Sequence, residues 1–217
     1  MKYALTLIAL ILTPSLFGQE QLTLASRTKG FSAGIHAAYI SHENDSYHYE
    51  AEYGFGYGFI AQYGFNHKMA LALAYQHYSV DSKASNSNVN PYQLFEYDII
   101  GKYTFGSSTS KLRPNLNAGF SFTNTEEGFY YEQFPINNPV YFNVFTTEEY
   151  YGILFLAGAG LSYYVTPEIS LNASFLMHVG QFTKVYLTTN YTDTEKIDIE
   201  SDIFNLNGQL GVQYHFK

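Results

Sequence analysis

The 217-residue chain has no cysteine, a net charge of −8, and only 14% charged residues against 18% aromatic ones, all of them Tyr or Phe. Without cysteine it has no disulfide framework, thiol nucleophile or Cys-based zinc site. Without clustered Lys and Arg it has no surface for a phosphate backbone, so nucleic acid is excluded as a partner. The length fits one domain, and the charged fraction is far below the roughly 25% usual in soluble domains.

The chain opens with Lys2, an apolar run from Tyr3 to Leu12 broken only by Thr6, then Pro14, Ser15 and Gly18. A positive start, a short apolar stretch and a small-residue exit are the parts of a secretory signal. Residues 1–19 are therefore expected to be removed, with cleavage near Gly18 or Gln19, and 20–217 to form the mature domain. The run is too short to cross a bilayer comfortably as a helix; an uncleaved anchor or a buried helix is the alternative. No later stretch is long and apolar enough for a spanning helix, so membrane insertion has to be by strands.

From Phe31 onward the signal is period-two alternation. Phe31, Ala33, Ile35, Ala37 and Tyr39 face one way. In the second segment Tyr53, Phe55, Tyr57, Phe59, Ala61, Tyr63 and Phe65 oppose Gly54, Gly56, Gly58, Ile60, Gln62 and Gly64. The third sets Met69, Leu71, Leu73 and Tyr75 against Ala70, Ala72, Ala74 and Gln76. In the fourth, Phe95, Tyr97, Ile99, Tyr103 and Phe105 oppose Glu96, Asp98, Lys102 and Thr104. Leu116, Ala118, Phe120 and Phe122 mark the fifth. The sixth, Tyr151 to Val165, is apolar on both faces and fits least well. The seventh has Ile169, Leu171, Ala173, Phe175, Met177 and Val179 against Ser170, Asn172, Ser174 and His178. The last sets Phe204, Leu206, Leu210, Val212, Tyr214 and Phe216 against Asn205, Asn207, Gln209, Gln213 and His215.

Connections between segments alternate in length. Ser41–Glu52, Asp81–Tyr92, Asn124–Tyr150 and Thr183–Ser201 are long, whereas Asn66–Lys68, Gly106–Leu112 and Thr166–Pro167 are shorter. Short periplasmic turns and long outer loops are the rule in outer-membrane barrels, which also have an even strand number. The predicted fold is all-β, an eight-stranded antiparallel up-and-down transmembrane β-barrel. Its interior is only wide enough for side chains, so small and polar residues should point inward and the aromatic face should meet outer-membrane lipids. Glycines on the inner face of the second segment should leave room for larger neighbours such as Lys102. Tyr39, Tyr53, Tyr63, Tyr103, Tyr163 and Tyr214 are placed for interfacial girdles.

The terminal run Leu210-Gly211-Val212-Gln213-Tyr214-His215-Phe216 resembles the C-terminal strand signal of outer-membrane proteins. Gly211, Tyr214 and Phe216 match it; Leu210 stands where a polar residue is usual, and Lys217 follows the aromatic. The mature chain as a whole is similar to the outer membrane protein beta-barrel family of small OmpA-type, OmpX-like barrels. That resemblance implies a monomer in a Gram-negative cell envelope, inserted by the barrel-insertion machinery acting on the last strand, with no room after Phe216 for a periplasmic peptidoglycan-binding domain.

Candidate chemistry is sparse. The glycines of Gly54-Phe55-Gly56-Tyr57-Gly58 recur inside a strand, unlike a phosphate-binding loop that opens a helix. His77 and Ser79 share one strand face, as a base and nucleophile would, and eight-stranded lipid A deacylases carry a similar His-x-Ser pair, with Glu43, Asp45 or Asp81 as conceivable orienting carboxylates. The expected alternative is two wetted residues at a strand end. Glu96 and Lys102 lie six residues and roughly 20 Å apart, so they should not pair; His36, Gln62 or Asn117 are expected to satisfy Glu96, Asp98 and Lys102. A polar plug is favoured over an ion path. The outer segments are acidic, with Glu126, Glu127, Glu132, Glu148 and Glu149 around Phe129-Tyr130-Tyr131 and Phe134-Pro135, but lack the spacing of a calcium loop. Asp198, Glu200 and Asp202 share the parity of lipid-facing residues and should stand above the membrane or precede a bulge. No catalytic, cofactor or metal residues are assigned. The expectation is a non-enzymatic outer-membrane protein with a structural or surface role; a narrow porin or small-solute transporter, and a hydrolase using His77 and Ser79, are the alternatives.

Overall fold

The computed structural model describes residues 28–44, 48–81, 91–133, 142–189 and 193–216. The expected signal segment, residues 1–19, and Asp45 lie outside them. Eight antiparallel strands follow in order: β1 (Gly30–Asn44), β2 (His48–Gly64), β3 (Met69–Asp81), β4 (Tyr92–Thr104), β5 (Leu112–Gln133), β6 (Phe142–Tyr164), β7 (Ile169–Thr189) and β8 (Asp193–His215). Each pairs with its sequence neighbours and β8 pairs with β1, so the sheet closes into a barrel.

One end is built from tight turns. Asn66 Oδ1 accepts the amides of Lys68 and Met69 at 2.8 and 2.9 Å. Thr166 Oγ1 does the same for Glu168 and Ile169 at 3.2 and 3.1 Å. Both side chains mimic a backbone turn. Strand pairing from Ser32 with His215, and the Phe216 amide bonded to the Phe31 carbonyl at 2.9 Å, close the barrel at this same end.

Alternation holds as read. The six girdle tyrosines all face outward, and Phe31, Phe55, Phe59, Leu73, Phe120 and Phe175 are more than half exposed. An aqueous surface of that kind would be an aggregation hazard; in hydrocarbon it is the favourable face. The outward row Tyr53–Phe65 on β2 covers about 40 Å of strand and, at a tilt of about 45°, about 28 Å of depth, close to the roughly 25 Å apolar band of such barrels. Phe31 with Tyr63, Tyr63 with Phe65, Tyr103 with Phe105, and Tyr214 with Phe216 pack edge to face at the turn end, with centroids 4.9 to 5.5 Å apart.

Three expectations are corrected. Three of the four long outer loops are largely strand: β5 and β6 stay paired out to Gln133 and Phe142, β7 and β8 to Thr189 and Asp193, and β1 and β2 to Asn44 and His48. Apolar alternation ends where lipid ends, but the backbone ladder needs no lipid to continue. The inward glycines of β2 make room for Tyr78 and His36 rather than Lys102: a Cβ on Gly56 would meet Tyr78 Cδ1 at 2.7 Å, and one on Gly58 would collide with the His36 ring. Thirdly, the outer half of the interior is largely apolar, with Ile40, Tyr78, Val80, Leu94, Leu154, Phe182 and Ile203 fully or almost fully buried beside a few polar residues, His42, Thr125, Glu148 and Ser201. Inner-face residues need only fill space and avoid water, and apolar groups do both without needing partners.

The parity of Asp198, Glu200 and Asp202 is resolved by a register slip. Phe182 pairs with Ser201 and Lys184 with Asp198, so Ile199 and Glu200 of β8 stand opposite the single residue Thr183 and β8 carries the extra residue. All three carboxylates are exposed, Asp198 bridges to Lys196 at 3.0 Å, and Asp202 accepts from Gln181 Nε2 at 2.7 Å.

Phe59 sits at the centre of the Tyr53–Phe65 row. Phe59→Arg should lower barrel stability in liposomes by about 2–4 kcal/mol, measured by urea unfolding; a loss below about 1 kcal/mol would contradict its placement at mid-membrane.

Candidate functional site

The lumen is layered. Near the turn end, the Arg113 guanidinium lies 4.5 Å over the Tyr164 ring, donating from Nε to the Ser110 carbonyl at 3.0 Å and from Nη2 to the Ser108 carbonyl. His215 Nε2 meets Ser170 Oγ at 3.0 Å. Above lies a cavity of about 60 Å³ lined by His36, Gln62, Lys102, Asn117, Asn172 and Gln213 among others. That volume suits a few waters. Lys102 Nζ reaches Ser162 Oγ at 3.5 Å, and Ser162 Oγ donates to Asn172 Oδ1 at 2.6 Å.

A continuous polar chain rises from this chamber. Gln209 Nε2 donates to Gln76 Oε1 at 2.8 Å, and Gln76 Nε2 donates to Asp98 Oδ2 at 2.5 Å; Tyr78 Oη also donates to Gln76 Oε1. Glu96, wholly buried, is held from across the lumen. Asn205 Nδ2 donates to its Oε1 at 2.8 Å and Asn207 Nδ2 to its Oε2 at 2.7 Å. His178 Nδ1 lies 3.2 Å from Oε1. Residues from three strands thus converge on one point, through sequence separations of 82 to 111 residues.

The expected partners are not the ones used. His36 Nε2 and the Gln62 Oε1 oxygen have no hydrogen-bond partner, and Asn117 donates to Asn115 at 3.1 Å. Glu96, Asp98 and Lys102 do share the inner face of β4, but a strand in a tilted, sheared barrel looks across the lumen as well as at its neighbours. His178, Asn205 and Asn207 were legible as inward residues; their convergence depends on register.

Above Glu96 the lumen is closed by hydrocarbon. One cluster joins Ala38, Ile40, Tyr78, Val80, Tyr92 and Leu94. A second joins Tyr150, Leu154, Phe182, Val185 and Ile203. His42 stands between them, its ring 6.1 Å from Tyr92 and 6.3 Å from Phe182, with Nδ1 donating down to Asn205 Oδ1 at 2.6 Å.

His77 and Ser79 both point outward on β3. Neither ring nitrogen of His77 is directed at Ser79: Nδ1 meets Tyr57 Oη at 3.2 Å and Nε2 meets Gln93 Oε1 at 2.7 Å. The ring stacks on Phe95 with centroids 4.7 Å apart. Of the acidic outer residues, Glu148 is buried and accepts from Tyr150 Oη at 2.6 Å; Glu149 accepts from Tyr151 Oη at 2.7 Å. Phe134 and Pro135 lie outside the described residues.

No family model matches the chain, and no curated protein matches it. Solved structures do. The chain is similar to Neisserial surface protein A, at 19% identity over 87% of this chain and 98% of that one, with a TM-score of 0.55. It is also similar to a major outer membrane protein from Thermus thermophilus, at 10% identity over 85% and 99% of the two chains, with a TM-score of 0.53. The outer membrane protein OprG from Pseudomonas aeruginosa aligns at 11% identity over 88% and 98%, with a TM-score of 0.51. These likenesses show the fold, that of small outer-membrane barrels. Joined to the apolar exterior, which only lipid satisfies, they make this an outer-membrane protein.

Removing Glu96 would leave His178, Asn205 and Asn207 buried around a void. Glu96→Ala should cost about 3–5 kcal/mol in urea unfolding, the usual loss on breaking a buried ionic pair; a cost under about 1 kcal/mol would show that the network contributes little.

Proposed function

We propose that the protein is a non-conducting, non-enzymatic barrel that serves the outer membrane through the strand hairpins it carries beyond the lipid. The apolar seal around His42 carries this reading. Water or an ion leaving the polar chain at Glu96 would have to pass between Leu94, Leu154, Phe182 and Ile203, each 2% exposed or less. Moving a charge through such a layer without partners is prohibitive.

The hairpins supply the other half. Beyond Asn124, where the outward face of β5 turns polar, the strand continues to Gln133, about 30 Å of chain at the usual rise. Its pairing with β6 is unbroken over that distance. A stiff, paired extension presents a fixed surface to the exterior at little further cost in ordering. Insertion is assigned to the last strand, whose Tyr214 and Phe216 face lipid while Gly211 lies against His36. The engagement of both His77 nitrogens with Tyr57 and Gln93 disfavours a hydrolase at that pair.

Purified protein, shown to be folded by heat-modifiable migration, should be silent in planar bilayers. Combined Leu94→Ala, Leu154→Ala and Phe182→Ala substitutions, which thin the seal, should yield discrete currents. Reproducible channels from the wild-type barrel would overturn the reading in favour of a narrow porin. Loss of acyl chains from lipid A that depends on Ser79 would overturn it in favour of an enzyme.

A further inference from the structure

Beneath the seal, Glu96, Asp98 and His178 each bring a ligand atom within 4.8 Å of the other two, and all three are buried. In a tetrahedral site with bonds near 2.1 Å, ligand atoms stand about 3.4 Å apart. Side-chain rotations drawing the three inward by about an ångström would complete such a geometry. Proximity alone would describe many acidic pockets. Here a second observation stands beside it: Asp98 Oδ1, His178 Nε2 and Asn207 Oδ1 are all buried without a hydrogen-bond partner, although Asp98, His178 and Asn207 are at most 2% exposed. Orphaned polar atoms of this kind are rare in native interiors and destabilise the fold.

Charge points the same way. Two carboxylates face one imidazole, so with both ionised the cluster is anionic even with His178 protonated. The next basic residue on that face of β4 is Lys102, four residues below Asp98 and about 13 Å away along the strand. The atoms in want of partners include a carboxylate oxygen and an amide oxygen, which accept and never donate when the carboxylate is ionised. What they lack is a donor or a cation; the Ser121 hydroxyl, buried without a partner and opposite Asp98 in the β4–β5 pairing, has a single O–H to give, and a cation would satisfy the remaining acceptors together. We propose that Glu96, Asp98 and His178, with the Asn207 side-chain oxygen completing the set, form a luminal binding site for a divalent transition-metal ion of the zinc type. Mixed carboxylate and imidazole donors suit zinc and its first-row neighbours, whereas calcium and magnesium prefer oxygen alone. Gln76, which donates to Asp98 Oδ2, and Asn205, which donates to Glu96 Oε1, orient the carboxylates from outside, as outer partners of metal ligands do. The water-sized chamber lined by Gln209 lies below and is joined to Asp98 through the hydrogen bonds of Gln209 and Gln76. The site holds a metal in place; the seal above keeps it from passing through.

Untagged protein should be refolded in detergent with Zn²⁺, freed of loose metal by chelator and gel filtration, and assayed for bound zinc. The folded wild-type barrel should retain about one ion. Glu96→Gln, Asp98→Asn and His178→Gln should each lower occupancy at least about tenfold, whereas His77→Ala, which alters an outward-facing histidine, should not. Refolding with Co²⁺ provides a readout that needs no variant: ligand-field absorption in the visible would mark a site with nitrogen and oxygen donors, even if the substituted barrels fail to fold. A folded wild-type barrel that carries no zinc and gives a featureless cobalt spectrum would overturn the proposal, and would leave a proton shared between the carboxylates in place of the metal. Variants that fold and keep their zinc would overturn it equally.

Discussion

An eight-stranded barrel encloses a space that side chains fill and water barely enters. Every inward group must therefore find its partner among other inward groups, and most of those lie across the lumen on strands distant in sequence. Glu96 is the point where this constraint concentrates. It draws amide donors from two positions on β8 and a histidine from β7, tying the later strands to β4 through the interior as hydrogen-bond ladders tie them around the wall. Outside, the opposite rule holds: no partner is needed, and Phe, Leu, Ile and Tyr face hydrocarbon.

The two rules divide the lumen as well as the wall. Polar residues occupy the half nearer the tight turns, where Lys102, His36, Asn115 and Asn172 surround a cavity large enough for water. Apolar residues occupy the other half, where Tyr92 and Phe182 close around His42. A hydrogen bond from His42 to Asn205 joins the layers. The arrangement keeps Glu96 and Asp98 away from the exterior, and it gives the paired hairpins beyond the membrane a solid base.

Strand number, facing and closure were legible because lipid on one side imposes strict alternation, as in the row from Tyr53 to Phe65. The ends of the strands were not. Beyond Asn124 and Thr183 the outward face no longer meets lipid, so the alternating signal stops while pairing goes on. The apolar interior left a trace that reads only in hindsight: the sixth segment is apolar on both faces because Leu154 in the seal and Leu156, in a lower cluster with Ala72, Ala74 and Ile100, fill the interior while Ile153 and Phe155 meet lipid. For the polar cluster, parity marked Glu96, Asp98, His178, Asn205 and Asn207 as inward. Shear and strand tilt decide which of them meet, and neither is written in the local sequence. His36 and Gln62 had the same parity and ended in the chamber instead.

The chain has no native cysteine, which makes the sealed lumen directly testable by thiol labelling. A cysteine at Ala38, inside the apolar cluster and 5% exposed, should be inert to a small charged thiol reagent applied to the outside of intact cells. A cysteine at Thr194, exposed on the hairpin beyond the lipid, should react under the same conditions. Equal labelling at the two positions would mean that water reaches the interior from outside, and that the lumen is open.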